Sequence, residues 1–225
     1  MEQFKYETHC HTKEASACST STGAEMADKY KELGYTGIII TDHFFNGNCA
    51  IDRNLDWREK VEQYCLGYEN AKKRGTEIGL DVFFGWEYSY SGTDFLTYGL
   101  DKKWLENHPE IMKMSVIAYI DFIKSEGGMV IQAHPFRTAS YITTIRLYPK
   151  NVDGIEVRNT APDHYCEKEN DAAEYIAEMY DLLKTSGSDS HDVNKIGMGG
   201  MIFEHKLKDI NDFIKSAKKQ QAILL

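Results

Sequence analysis

The feature that most constrains this chain is an alternation of short apolar runs with longer helical segments along nearly its whole length. The clearest run, Thr36-Gly-Ile-Ile-Ile-Thr-Asp-His43, is continuously apolar and then turns polar. A strand covered on both faces, as in a parallel sheet, reads this way. The same reading predicts strands at Lys5–His11, Asp81–Tyr90, Met129–Pro135, Asp153–Asn159 and Thr185–His191. Helices are expected between them at Gly23–Leu33, Asp56–Arg74 (closed by Gly75), Met114–Ser125 and Glu167–Leu183. Asp94–Leu100 reads as an added strand; Gly199–Glu204, Asp209–Lys218 and Ala222–Leu225 read as a late strand, helix and strand. Repeated βα units build a parallel sheet. About seven of them in 225 residues favour a closed or nearly closed α/β barrel of the TIM-barrel type. With no linker or repeat in the chain, one domain over 1–225 is expected.

Composition narrows the function classes. At 42% hydrophobic and 27% charged the chain is an ordinary globular sequence, and no apolar run approaches the roughly 20 residues of a membrane span. The first residues, MEQFKYETH, contain no apolar signal core. The five cysteines are odd in number and none are spaced Cys-x-x-Cys, which fits a reducing cytoplasm better than a disulfide framework. A net charge of −9 disfavours long nucleic acids as partners. It does not disfavour an acidic site loaded with divalent cations, because each ion reverses the local field.

The chemistry-bearing residues collect at the expected strand ends. His9 and His11 end the first strand, and Asp42 and His43 the second; Glu87 follows Val-Phe-Phe-Gly-Trp on the third. His134 ends Met-Val-Ile-Gln-Ala, Glu156 sits in Gly-Ile-Glu-Val, and Asp189 and His191 follow Lys-Thr-Ser-Gly-Ser. In barrels of parallel strands the carboxyl ends converge on one cavity. Alternate residues share a face, so His9 and His11 can both point inward while Cys10 points away as a small core residue. One His-x-His pair is equally readable as buried, hydrogen-bonded histidine. Five of eight histidines at strand ends, each with a nearby carboxylate, make a metal site the better reading. On this pattern Asp42 faces the other way from His43 and either supports a ligand or acts as an acid. Glu156 is left open between ligand and structural roles. His108, His164 and His205 lack such a setting and are expected at the surface.

Together, ETHCHT, GIIITDH, FGWEYSY, IQAHPFR, GIEVRN and GSDSHDVNKIG resemble the PHP (polymerase and histidinol phosphatase) family of metal-dependent phosphoesterases, in order, from His9 to about Gly199. The resemblance implies a distorted (β/α)7 barrel with a trinuclear centre of Zn, Mn or Fe. It implies that His9, His11, Glu87 and Asp189 hold one metal, Glu87 and His134 a second, and His43 and His191 a third. The chain departs from the family in two places. Where many members have Cys-Gly-His it has Cys18-Ser-Thr20, leaving the third site a histidine short, and Glu14 is the oxygen ligand expected to compensate. Asp94 stands where members often have a histidine, which keeps a ligand and hardens the site toward Mn or Fe.

The expected activity is hydrolysis of a small phosphate ester by a metal-activated hydroxide at a di- or trinuclear centre. Arg137 and Arg158, following strands that carry site residues, are the candidate phosphate clamps. Asp42, His191 or a metal-bound water is the candidate acid for the leaving group. Loops Asn46–Trp57 and Arg137–Lys150 are expected to shape the pocket. The alternatives are a nuclease or nucleotide phosphatase acting on short oligonucleotide ends, a carbon–nitrogen hydrolase, and a degenerate metal-binding module without catalysis.

Overall fold

A computed structural model describes residues 3–220 and 222–225. Nine strands form one sheet in the order β7-β6-β5-β4-β3-β2-β1-β8-β9. They are β1 Phe4–Cys10, β2 Gly37–Ile40, β3 Asp81–Tyr90, β4 Thr93–Tyr98, β5 Met129–Ala133, β6 Gly154–Asn159, β7 Leu183–Gly187, β8 Met201–Phe203 and β9 Ala222–Leu224. The first seven run in sequence order and curl until β7 returns to β1. There Thr8 Oγ1 donates to the Ser186 carbonyl at 2.7 Å, and Cys10 bridges to Ser190. The opposite half of β1, Phe4–Tyr6, is taken by β8, so the barrel is nearly closed rather than closed. The expected α/β barrel is therefore present, and distorted.

The distortion has a local cause. β4 pairs antiparallel with both β3 and β5, where parallel units were expected. The β3–β4 link is the two-residue turn Ser91-Gly92, with φ of 50° and 80°, a hairpin connection too short to hold a crossover helix.

The helices α1 Gly23–Glu32, α5 Val116–Ser125, α6 Glu167–Met179 and α7 Ile210–Lys218 match expectation closely. The predicted helix Asp56–Arg74 is instead α2 Trp57–Tyr64 and α3 Leu66–Ile78, broken at Cys65. Gly75 lies inside α3, which ends at Gly79 with φ 71°. The short α4, Lys102–Asn107, and the 3-10 turn Pro109–Lys113 were not expected, since segments of six and five residues are too short to show a helical period.

The barrel is plugged below and polar above. Tyr6, Ile39, Leu96, Tyr98, Ile131 and Phe213 form one buried cluster drawn from four strands and α7. The Tyr98 hydroxyl crosses the interior to the Thr8 carbonyl at 2.8 Å. A register irregularity between Glu7 and Cys10 in β1 inserts one extra residue against β2. It moves the inward parity from Tyr6 to His9 and His11. Cys10 consequently points outward into the layer with Met26, Tyr30, Ile38 and Ile40, as its spacing predicts.

Candidate metal centre

The expected ligands meet above the plug although up to about 180 residues separate them in sequence. His9 Nε2 lies 3.1 Å from His11 Nε2, 3.3 Å from Glu87 Oε1 and 3.4 Å from Asp189 Oδ1. His11 Nε2 is 3.1 Å from the same Asp189 oxygen and 3.6 Å from Glu87 Oε2. Glu87 extends further, to His134 Nε2 at 3.2 Å and His43 Nδ1 at 2.6 Å. Four sets have donor atoms close enough to share an ion: His9-His11-Glu87, His9-His134-Asp189, Glu87-Asp94-His134 and His11-His43-His191. Glu87 belongs to two of these sets and Asp189 to one.

Hydrogen bonds from behind aim the imidazoles. His9 Nδ1 is 2.9 Å from Glu156 Oε1, a pure acceptor, so Nδ1 carries the proton and Nε2 faces inward as a donor to metal. The Ser16 hydroxyl gives its single proton to Asp42 at 2.7 Å and must then accept from His11 Nδ1 at 3.0 Å, which orients His11 likewise. His191 Nδ1 donates to the Asp189 carbonyl at 2.8 Å, again leaving Nε2 free. Gly187 makes this convergence possible, since a Cβ there would lie 2.5 Å from His9 Cβ and 2.7 Å from Glu156 Oε1. Two candidate ligands sit in strained backbone, His134 at φ 27° and Asp189 at φ 50°. Such strain on non-glycine residues persists where surrounding structure over-determines it, commonly at functional sites.

The charge balance of the cluster calls for cations. His9, His11, Glu87 and Glu156 are wholly buried and Asp189 nearly so, while Arg137 is the one guanidinium or ammonium group paired with them among the described residues. Burying an ionised carboxylate without a partner costs several kcal/mol. In the metal-free protein, protons fill that role. Burial disfavours charged His9, yet Asp189, Glu156 and Glu87 hold it protonated well above the ordinary histidine range. Burial and the neighbouring His191 and His43 keep His11 neutral. Burial also works against ionised Glu87, but His43 and His9 hold it well below the usual carboxylate range. His43 Nδ1 and Glu87 Oε2 approach within ion-pair distance yet out of line for a hydrogen bond, so each is an orphaned buried atom. Imidazole nitrogens and carboxylate oxygens in this arrangement fit divalent transition ions.

Several expected residues fall differently. Glu14 is not with the histidines; its carboxylate accepts from the Gly23 backbone N–H at the start of α1 and from Asn70 at 2.9 Å. Arg158 is exposed, because β6 carries a register irregularity between Glu156 and Arg158 that swings Arg158 outward and turns Asn159 in. Asp42 does not line the cavity. Thr12 and Ser16 engage it at 2.6–2.7 Å, and burial raises it to about 6 against those hydrogen bonds, so it positions His11 through Ser16 rather than touching substrate. Asp94 is where expected, beside Glu87 and His134, with Ser89 donating to it at 2.6 Å. Arg137 reaches the site and binds Asp189 and Asn159 through Nη2. Glu156 resolves as the partner of His9.

Above the cluster opens a cavity of about 620 Å³. His43, Asp94, Arg137, Asp189 and His191 lie on it, and both expected loops contribute, through Asn48 and Tyr141. The sequence reading missed Lys195, on the same wall and paired with Asp163 at 3.0 Å, and Cys18. His164, expected at the surface, is exposed at the cavity rim. Burial would raise the Cys18 thiol, but hydrogen bonding with His191 and His43 outweighs it and brings it to about 6. Cys18 lies two residues before Thr20 in the Cys18-Ser-Thr20 stretch. No helix among the described residues is long and apolar enough to cross a membrane.

Residues 167–222 match a family model described as PHP-associated. No curated protein matches the chain. Among solved structures, a two-domain protein from Bacteroides vulgatus ATCC 8482, containing a predicted PHP-like metal-dependent phosphoesterase, aligns over 100% of this chain and 65% of its own, at 14% identity and TM-score 0.71. The present chain thus spans about two thirds of that protein. A protein from Bifidobacterium adolescentis ATCC 15703, provisionally assigned as a metal-dependent phosphoesterase, aligns over 95% of this chain and 96% of its own, at 17% identity and TM-score 0.60. An amidohydrolase from Chromobacterium violaceum, solved with sulfate bound and no metal, covers 97% of each chain at 12% identity and TM-score 0.58. The chain shares the fold of these structures, and its segment carrying Asp189 and His191 matches the PHP-associated model.

Proposed function

We propose that the chain is a metal-dependent hydrolase of small phosphate esters, working as one catalytic unit. The observation that carries this reading is the carboxylate-bridged histidine cluster beneath a cavity whose wall presents Arg137 and Lys195. Two or three divalent ions of Zn, Mn or Fe would be held by His9, His11, Glu87 and Asp189, by Glu87, His134 and Asp94, and by His43 and His191. Bound there, they supply Lewis acidity toward water and phosphoryl oxygen at neutral pH.

The chain's own residues do the rest. Glu156 and the Ser16–Asp42 pair hold the deepest imidazoles in one tautomer. Arg137 spends Nη2 on Asp189 and Asn159, and its Nε and Nη1 have no hydrogen-bond partner among the described residues, leaving them for a phosphate oxygen. Asp42 is sealed from the cavity and His191 belongs to the wall of the centre, so the leaving group takes its proton from cavity water. The cavity suits a small phosphorylated molecule, and the net charge of −9 does not suit a long nucleic acid.

The test is a screen of p-nitrophenyl phosphate, sugar phosphates, nucleotides and histidinol phosphate with Zn, Mn and Fe varied. Phosphate release that depends on metal and on His9 supports the reading. The likeness to an amidohydrolase gives the competing outcome: cleavage of a dipeptide or lactone with no phosphate ester turned over would replace it.

A further inference from the structure

The register irregularity that swings Arg158 out of β6 turns Asn159 in, and both ends of the Asn159 amide are engaged there. Oδ1 accepts from Arg137 Nη2 and from the Ala161 backbone N–H, each at 3.1 Å. Nδ2 donates to Glu156 Oε2 at 2.9 Å. The partners fix which end is which, because a guanidinium only donates and an ionised carboxylate only accepts. Arg137 lines the cavity, while Asn159 is 5% exposed and does not.

Asn159 is itself held from two sides. Its backbone N–H donates to Asn170 Oδ1 at 3.1 Å, and Asn170 Nδ2 donates to its carbonyl at 3.2 Å, which ties it to α6. Its amide is anchored on Glu156, which also takes the His9 ring at 2.9 Å and the His134 backbone N–H at 3.1 Å. A hydrogen-bonded chain therefore runs from Arg137 through Asn159 and Glu156 to His9. The other partner of Arg137 Nη2 is Asp189, a candidate ligand whose negative charge opposes that of the guanidinium. The neutral Asn159 amide holds the guanidinium without cancelling its charge. An aspartate in its place could not donate to Glu156 and would repel it, and an apolar residue could do neither task.

We propose that Asn159 is a positioning residue, which mounts Arg137 on Glu156 and fixes the direction of the guanidinium. It touches no substrate and acts through Arg137. With Nη2 pinned, Nε and Nη1 are held ready for a phosphate oxygen, and the orientation is set before the anion arrives. The anion-binding side chain is thereby tied to the same carboxylate that aims His9, so the two parts of the site share one support. The inference rests on the reading that Arg137 meets phosphate, and it concerns what directs Arg137 rather than what is hydrolysed.

A double-mutant cycle on the whole chain tests this, with Mn saturating and the affinity for inorganic phosphate read by calorimetry. Arg137→Ala should weaken phosphate by about tenfold or more, and Asn159→Ala by about fivefold. In the Arg137→Ala background, Asn159→Ala should change the affinity by less than about twofold, because its effect passes through the missing guanidinium. A role confined to general support of the site would instead lower the affinity in both backgrounds. Asn170→Ala, on a half-buried α6 side chain, should give a smaller loss with the same dependence on Arg137, and it serves if Asn159→Ala does not fold. An Asn159→Ala loss that is equal in the two backgrounds, or no loss at all, overturns the Asn159 proposal and leaves the Arg137 reading standing. A native chain that binds no phosphate, or an Arg137→Ala variant with native affinity, overturns both.

Discussion

The floor and the wall of the cavity differ in how tightly their histidines are held. His9 and His11 are fully buried, and each has its Nδ1 committed to a buried acceptor supported in turn by other groups. His43 and His191 are 16% and 26% exposed; His191 leans only on a backbone carbonyl, and His43 Nδ1 has no well-aligned partner. On the proposed reading the floor holds ions in fixed positions, and the wall meets solvent and substrate. Rigid support where ions bind and exposure where substrate arrives is the division a hydrolytic centre needs.

Glu87 lies within ion-pair distance of His9 and His11 on the floor, of His134 and of His43 on the wall, so it should show the largest effect. Glu87→Gln is expected to reduce bound metal to near zero by elemental analysis and to remove hydrolysis; a variant that keeps one floor metal would show that the floor is independent of the wall. Chelation comes next. Ions at a thousandfold excess over their dissociation constant stabilise a fold by about 4 kcal/mol each. Metal removal should therefore lower the melting temperature by on the order of 10 °C, and calorimetry showing no shift would mean that the folded chain binds no ion in preference to the unfolded one.

Smaller effects test the supports. Glu156→Gln and Ser16→Ala should each weaken floor metal affinity by about 10- to 100-fold, read by competitive chelator titration, with KM unchanged once metal is saturating. An equal loss at His43 and His191 would dissolve the distinction between floor and wall. Arg137→Ala should raise KM for a phosphorylated substrate by roughly tenfold or more, the worth of a charge-assisted hydrogen bond. Arg158→Ala, on the exterior, should change stability by less than about 0.5 kcal/mol and leave KM alone; a KM effect there would show that Arg158 reaches the substrate.

The α/β barrel, the strand-end position of the ligands and the outward turn of Cys10 could be read from the chain, because strand alternation and apolar runs are local properties with a fixed period. His9, His11, His43, Glu87, His134, Asp189 and His191 were legible as one cluster for the same reason, and Asp94 only through the family resemblance. Arg158 was not, since one extra residue in β6 reverses parity and nothing in Gly-Ile-Glu-Val-Arg-Asn announces it. Glu14 and Cys18 lie on a loop, where sequence proximity to a motif says little about direction. Only the pairing of that loop with residues 48–50 and with His191 turned the carboxylate away and the thiol in. The sequence by itself determined which residue types end each strand. Tertiary structure decided which of them face the cavity, because register irregularities and long-range hydrogen bonds, not local period, set side-chain direction there.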